Sequence, residues 1–177
     1  MNDLHNRCLD TFPEWLRTLA SDATELSELL GPEQPEEARR YVAGGLNYLF
    51  KSLDLIPDGI EDLGYLDDAF VLRIAANLAS KAGVKESLVL SRLGGEAALV
   101  EELLGKDYAR LERYVRGLTR GAARGRSVDE ILSDESVRSA FLIELQSWSA
   151  GYAAPTFSRD EKNIIKLQSF LGAKLPQ

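Results

Sequence analysis

Four aspartates, Asp54, Asp58, Asp67 and Asp68, are the side chains whose type and spacing are best suited to chemistry in this sequence. They lie in a window, residues 54–68, that contains six acidic residues and no lysine or arginine. Carboxylates that converge without a basic partner repel one another, and a divalent cation such as Mg²⁺, Mn²⁺ or Ca²⁺ relieves this repulsion through oxygen ligands. One interpretation of the window is therefore a divalent-cation site.

The same aspartates also have a purely structural interpretation. Pro57 fixes its own φ and ends the preceding helix, so that Asp58 can cap a short turn. Asp67 or Asp68 then opens the next helix, where free amides and the helix dipole favour an anion. The spacing also differs from that of an EF-hand loop. Capping and cation binding both remain open at this stage.

A second charged window, residues 110–126, contains six arginines and one acidic residue. At helical spacing, five of these arginines share one face: Arg110, Arg113, Arg116, Arg120 and Arg124. One interpretation is an anion-binding face that uses Arg113, Arg116 and Arg120 for phosphate, acidic lipid headgroups, RNA or an acidic partner. The other is pairing with acidic residues of the same chain. We expect the pairing, because the whole chain carries a net charge of -7.

The sequence contains too few histidines and cysteines for several classes of catalytic site. His5 is the single histidine and Cys8 the single cysteine. A His/Cys zinc site or a His-activated nucleophile would depend on His5, which lies in a segment predicted to fray. The glycine pair 94–95 follows no predicted strand and precedes no Lys-Ser/Thr, so it predicts no phosphate loop. The sequence therefore leans away from an enzyme.

The composition is that of an ordinary globular protein. Of the 177 residues, 45% are apolar and 28% are charged. The longest apolar run, residues 42–50, is far shorter than the ~20 residues that cross a bilayer, so we predict no transmembrane segment. The first residues contain no apolar signal region, which predicts a cytoplasmic protein. Peripheral membrane contact through the arginines stays open.

Apolar periodicity and capping residues predict an all-α protein. The pattern indicates a single domain over residues 1–177, a helical bundle of about seven to eight helices. Thr11 and Asp22 are predicted to begin separate helices, and the glycines at 94–95 to break another. The predicted helices lie near 12–20, 22–30, 36–51, 67–82, 86–104, 107–124, 134–149 and 158–171.

The helices that must position the aspartates are those at 36–51 and 67–82, within a hairpin at about 36–82. Additional helices follow at 86–171. Small residues are predicted to let the two hairpin helices approach closely, and Arg73 is placed on the polar face of the second helix. Asp67 and Asp68 fall at the two sides of its apolar face, so their carboxylates should point towards Asp54 and Asp58.

Two motifs in the connection carry a resemblance to a known family. D-L-I-P-D covers residues 54–58 and G-Y-L-D-D covers residues 64–68, and Tyr-Leu-Phe precedes them at 48–50. Together they resemble the signature of the YkvA-like family, a helical domain of unknown function, over about residues 41–78. The resemblance implies a short helical hairpin and assigns no activity.

Two function hypotheses follow. The first is a non-enzymatic interaction or scaffold module, because no catalytic constellation is visible. Its partner is another protein or a second copy of the chain, and no nucleic acid is expected, since no recognised nucleic-acid module is present. The second is a divalent-cation-binding protein that uses the four aspartates, either regulatory or hydrolytic through metal-bound water.

Overall fold

The computed structural model describes residues 2–52 and 54–177, and these residues form eight α-helices. The helices are α1 (Asp3–Ser27), α2 (Glu36–Tyr48), α3 (Leu66–Ser80), α4 (Leu88–Leu104), α5 (Tyr108–Gly117), α6 (Val128–Ser133), α7 (Glu135–Gly151) and α8 (Glu161–Lys174). Short 3-10 segments follow α1 and flank α5, at Glu28–Leu30, Gly105–Asp107 and Leu118–Arg120. The strands of this described part are an antiparallel pair, β1 (Ala122–Ala123) and β2 (Arg126–Ser127). The all-α prediction is confirmed.

Helix α3 lies at the centre of the structure, and 13 of its 15 residues are buried. Helices α2, α4 and α1 pack around it. The α2–α3 contact depends on a missing side chain, because a Cβ at Gly45 would lie 2.8 Å from the Cβ of Ala75. The predicted close approach of the two hairpin helices is confirmed at this pair.

Burial around α3 corrects the prediction for Arg73. Its side chain is fully buried rather than on a polar face, and its guanidinium carbon lies 4.0 Å from the ring centroid of Trp15. Nη2 lies 3.4 Å from Asp22 and 3.5 Å from Glu96. Because helices surround α3 at this position, Arg73 does not reach solvent, and its buried charge is accommodated by these two carboxylates.

The predicted break between two N-terminal helices is wrong. Helix α1 runs without interruption through Thr11 and Asp22, and Pro13 lies inside it. Asp22 does not begin a helix, because its buried carboxylate pairs with Arg73 and Arg92. The predicted fraying is also wrong: His5 is helical, and its Nδ1 lies 2.7 Å from Oε1 of Glu161.

Two later helix predictions are wrong as well. Helix α4 continues through Gly94, where the missing Cβ leaves room for the backbone of Asn77, 3.1 Å from the Cβ position. The predicted helix 107–124 ends at Gly117, after which the chain forms a 3-10 turn and the small β-hairpin. Arg124 and Gly125 form the hairpin turn with φ of 51° and 77°. Glycine's low helix propensity explains the early end.

The buried apolar side chains form one cluster, which extends from Cys8 in α1 to Leu175 after α8. Within residues 2–52 and 54–177, no helix has both the length and the apolar content needed to cross a bilayer.

Candidate functional site

The acidic connection, residues 49–65, joins α2 to α3 and holds the candidate site. The chain folds back on itself at Gly64, where a Cβ would overlap the backbone carbonyl of Asp58 in the middle of the connection. Leu55 and Ile56 are buried and anchor the middle of the connection in the core. Tyr65 has a φ of 67° and precedes the first residue of α3, which turns the chain into the helix. The described residues of the connection, 49–52 and 54–65, are therefore held by the core and by the start of α3.

Three of the four predicted aspartates converge. Asp54, Asp58 and Asp68 each offer one carboxylate oxygen, and these oxygens all lie within 4.8 Å of one another. Asp68 is 2% exposed, Asp54 is half-buried and Asp58 is exposed. This set, named here the Asp triad, has a buried end at Asp68 and an end open to solvent at Asp58.

Asp67 lies beside the Asp triad but is engaged elsewhere. Its Oδ2 accepts a hydrogen bond from the Tyr48 hydroxyl at 2.5 Å and from the Ile56 amide at 3.2 Å. The Tyr48 oxygen in turn accepts from the Leu55 amide at 2.8 Å. Asp67 and Tyr48 thus hold the start of the connection against α3 and position the neighbouring carboxylates.

Side-chain capping does not account for these placements. Asp67 and Asp68 lie in the first turn of α3 as predicted, but the N-cap residue is Tyr65, whose side chain makes no capping hydrogen bond. Asp67 uses Oδ2 across the hairpin, on Tyr48 and Ile56. The structural interpretation made from the sequence is therefore too simple for Asp67.

Several carboxylate oxygens of the site are buried without a hydrogen-bond partner among the described residues. They are Oδ1 of Asp54, Oδ1 of Asp67 and Oδ2 of Asp68. An unsatisfied buried polar group costs about 1–3 kcal/mol, and more when it is charged. The ion pairs formed within residues 2–52 and 54–177 use other acidic residues, such as Asp22 and Glu144. The Asp triad is thus left without a basic partner.

The electrostatic surroundings favour the protonated carboxyl groups. Burial raises the pKa of Asp68 well above its ordinary value, and the nearby charges of Asp67 and Asp54 raise it further. Burial, followed by the charges of Asp67 and Asp58, raises the pKa of Asp54 to about 7. Although Asp58 is exposed as a residue, partial desolvation of its carboxyl group by neighbouring atoms raises its pKa, against the effect of its interactions with Asp54 and Tyr65. A cation at this position would compete with protons.

Two of the three predicted anion-binding arginines, Arg113 and Arg116, contact other residues of the chain. Arg113 lies 3.4 Å from the backbone oxygen of Gln177. Arg116 pairs with Glu112 at 2.9 Å and donates to the Tyr41 hydroxyl at 3.1 Å. Arg120 is exposed in the 3-10 turn after α5. Anion binding by these three arginines stays a prediction.

Two tyrosines of the site were missed by sequence reasoning. Tyr48 is buried and hydrogen-bonded to Asp67, and its ring centroid lies 6.1 Å from that of Tyr114. Tyr65 interacts with the carboxyl group of Asp58. The available signal was position: Tyr48 directly precedes the connection, and Tyr65 lies inside the G-Y-L-D-D motif.

Comparison with known proteins gives one short match. Residues 38–74 match a family described as a protein of unknown function (DUF1232). Comparisons with curated proteins and with solved structures gave no match. The matched segment runs from α2 into α3 and contains all four aspartates. Over residues 38–74 the chain is therefore similar to a family of unknown function, which confirms the limited, YkvA-like resemblance predicted from the two aspartate motifs.

Proposed function

We propose that this protein binds a divalent cation through Asp54, Asp58 and Asp68. One observation carries the proposal. The buried Asp68 carboxylate has an oxygen without a hydrogen-bond partner, and carboxylate oxygens of Asp54, Asp58 and Asp68 all lie within 4.8 Å of one another. Three carboxylates without a basic partner are unfavourable when deprotonated and become favourable when a cation neutralises them.

The arrangement suits Mg²⁺ or Mn²⁺ better than Ca²⁺. The triad supplies three carboxylate oxygens, and the exposed position of Asp58 leaves one side open to water. Mg²⁺ keeps several waters and is bound by few carboxylates, whereas Ca²⁺ takes 6–8 oxygen ligands. Because Asp54 and Asp58 belong to the connection and Asp68 to α3, a bound cation would tie these two parts together. This supports a regulatory role.

Thermal unfolding tests the proposal. We expect millimolar Mg²⁺ or Mn²⁺ to raise the Tm, since a ligand that binds only the folded state stabilises it by mass action. Asp68→Asn should abolish the increase. The matched control is Glu61→Gln, which removes an exposed acid of the same connection outside the triad. An unchanged Tm of the parent protein in Mg²⁺, Mn²⁺ and Ca²⁺ contradicts cation binding.

A second candidate function, protein interaction, is favoured by an apolar groove. The groove has a volume of about 580 Å³ and runs between the connection and α8. Ile60 and Leu63 line one side, and Ile165, which is 52% exposed, lies on the other. The α8 side also carries Lys166 and Lys174.

We infer that a second copy of the chain is the partner that fits this groove. Glu61, which follows Ile60 in the chain, is exposed, so one acid lies beside the connection side of the groove, whereas Lys166 and Lys174 line the α8 side. In a two-fold arrangement the acidic side of each copy faces the basic side of the other. Sedimentation velocity should detect a concentration-dependent dimer that Ile165→Asp disrupts. The control is Ile143→Asp on α7, at another exposed isoleucine. A monomer at all concentrations rejects the dimer.

A further inference from the structure

A second cavity lies next to the Asp triad and shares Asp58 with it. Its volume is about 520 Å³, within the range of small-molecule sites. It lies between the end of the α2 region and the small β-hairpin. Its lining residues are Leu49, Phe50, Lys51, Ser52, Asp58, Ala122, Ala123 and Arg124.

Two basic side chains, Lys51 and Arg124, line this cavity close to the Asp triad. Lys51 lowers the pKa of Asp54, although burial and the neighbouring acids outweigh this effect. Its Nζ lies 3.5 Å from the Tyr114 hydroxyl and 5.5 Å from that ring's centroid. Both contacts are to the uncharged side chain of Tyr114. Within the described residues, Lys51 forms no ion pair with a carboxylate. Lys51 is available to an anion.

Arg124 can also change its partner. It pairs with Glu144, and this carboxylate is held at the same time by Arg126 at 2.5 Å. When Arg124 turns to a ligand, Glu144 therefore keeps a cation. Arg124 is 61% exposed, and it lies in the hairpin turn. Arg124 can therefore turn to a ligand without breaking a fully buried ion pair.

We infer that the triad and this cavity together bind a phosphate group bridged by a divalent cation, with the phosphate oxygens facing Lys51, Ser52 and Arg124. The inference rests on the proposed cation site and names its ligand class, a phosphorylated small molecule. The charges explain why both ions are needed. The ionised triad and the neighbouring Asp67 outnumber the two basic side chains, so the metal-free site repels an anion. A divalent cation offsets this negative charge and can itself bind a phosphate oxygen.

The test measures the two ions separately. Mn²⁺ binding is followed by the electron paramagnetic resonance signal of the free ion, and inorganic phosphate binding by calorimetry on Mg²⁺-saturated and metal-free protein. We expect phosphate to bind only with Mg²⁺. Arg124→Ala and Lys51→Met should each weaken phosphate binding by about tenfold, the loss of one charge-assisted hydrogen bond. Both variants should retain Mn²⁺ binding.

The control is Arg17→Ala, an exposed arginine that pairs with Glu14 outside the cavity, which should bind phosphate like the parent. Pyrophosphate, corrected for its own Mg²⁺ complex in a protein-free blank, tests whether the cavity holds more than one phosphate group. If Mn²⁺ binds but phosphate does not, or if both cavity variants match the parent, the inference is wrong while the cation site stands. Failure of Mn²⁺ binding overturns both.

Discussion

Asp68 and Arg73, five residues apart on α3, are two buried ionisable side chains with opposite surroundings. Arg73 is neutralised by Asp22 and Glu96 and stacks on Trp15. Asp68 has other carboxylates as neighbours and an oxygen without a hydrogen bond. Burial of a charge without a partner destabilises the folded state. Asp68 therefore lowers the stability of the metal-free protein, and cation binding would explain why an acid lies there.

Asp68→Asn should therefore stabilise the metal-free protein while it removes the response to cations. The amide has no charge to bury, and its N–H groups can donate to the unpaired oxygens of Asp54 and Asp67. We expect a gain of about 1–3 kcal/mol in unfolding free energy at pH 9, where deprotonation of the buried Asp68 of the parent is most strongly favoured. Urea denaturation in chelator measures this. A clear loss of stability would show that the acid itself holds the fold together.

Tyr48→Phe tests the support given to Asp67. Removal of the hydroxyl leaves the buried Oδ2 of Asp67 and the Leu55 amide each short of a hydrogen bond. We expect a loss of about 1–3 kcal/mol in unfolding free energy by urea denaturation. The control is Tyr114→Phe, which loses only a 3.5 Å contact with Lys51. Equal losses in the two variants would mean that the Tyr48–Asp67 bond has no special weight.

Residue patterns predicted part of the site. The helical projection of Asp67 and Asp68 predicted that both carboxylates point towards Asp54 and Asp58, and three of these four aspartates, Asp54, Asp58 and Asp68, do converge. The engagement of Asp67 by Tyr48 could not be predicted, since it depends on how far the connection folds back on α2. Arg73 was misplaced because amphipathic patterns assume that each helix keeps one face in water.

At the scale of elements, the connection depends on a close approach of its own backbone. Gly64 lies against the carbonyl of Asp58, with no room for a side chain. Gly59, only five residues earlier, has nothing within 4 Å of its Cβ position. The two glycines of one connection therefore differ completely in their tolerance of a methyl group.

Gly64→Ala should both destabilise the protein and weaken Mn²⁺ binding, because the added methyl pushes Asp58 away from Asp54 and Asp68. Overpacking of this kind costs about 1–3 kcal/mol. Gly59→Ala is the matched control and should be neutral or slightly stabilising, since it restricts only the unfolded chain. Urea denaturation and Mn²⁺ titration of both variants make the comparison. Wild-type Mn²⁺ affinity in Gly64→Ala would mean that the connection does not position the triad.

Helix boundaries were harder to predict than helices. The all-α class followed from periodicity, but the starts predicted at Thr11 and Asp22 lie inside α1. A capping-box pattern cannot be distinguished from a buried acid that serves Arg73 until the tertiary partner is known. Gly94 was predicted to break α4, but the helix continues through it, and the missing side chain lets α3 approach. In contrast, Gly117 is the last residue of α5, and Gly121 follows the 3-10 turn after it. Whether a glycine ends a helix or lies inside one therefore depends on which element packs against it.

At the scale of the whole molecule, the raised pKa values of the triad make stability depend on pH in an unusual direction. The folded protein holds the Asp54 proton up to about pH 7, whereas the unfolded chain releases it near its ordinary value of 3.8. This contribution to stability is therefore present in acid and is lost as the pH rises between these values. Asp68, whose pKa is raised well above the ordinary value, extends the loss to higher pH.

We expect the Tm of the metal-free protein to fall between pH 5 and pH 8 more steeply than that of Asp68→Asn. Saturating Mg²⁺ should cancel the difference in slope, because a cation binds the deprotonated carboxylates and releases their protons. Differential scanning calorimetry of both proteins over this range, with and without Mg²⁺, measures the effect. Parallel pH profiles for the parent and the variant would contradict a buried, proton-holding triad.

The contacts of α1 bear on the order in which the chain folds. Helix α3 meets α2 and α4, its neighbours in sequence, whereas α1 also packs against α7 and α8, and His5 reaches Glu161 across 156 positions. Short loops close faster than long ones, so the α2–α3–α4 unit can form first, while the part of α1 that packs against α7 and α8 is covered only when those helices arrive. Pulse-labelled hydrogen exchange should accordingly show amide protection in α3 before α1, and simultaneous protection would contradict this order. Until α7 and α8 have been synthesised, the nascent chain therefore exposes the part of α1 that these two helices cover, a surface on which a chaperone would act.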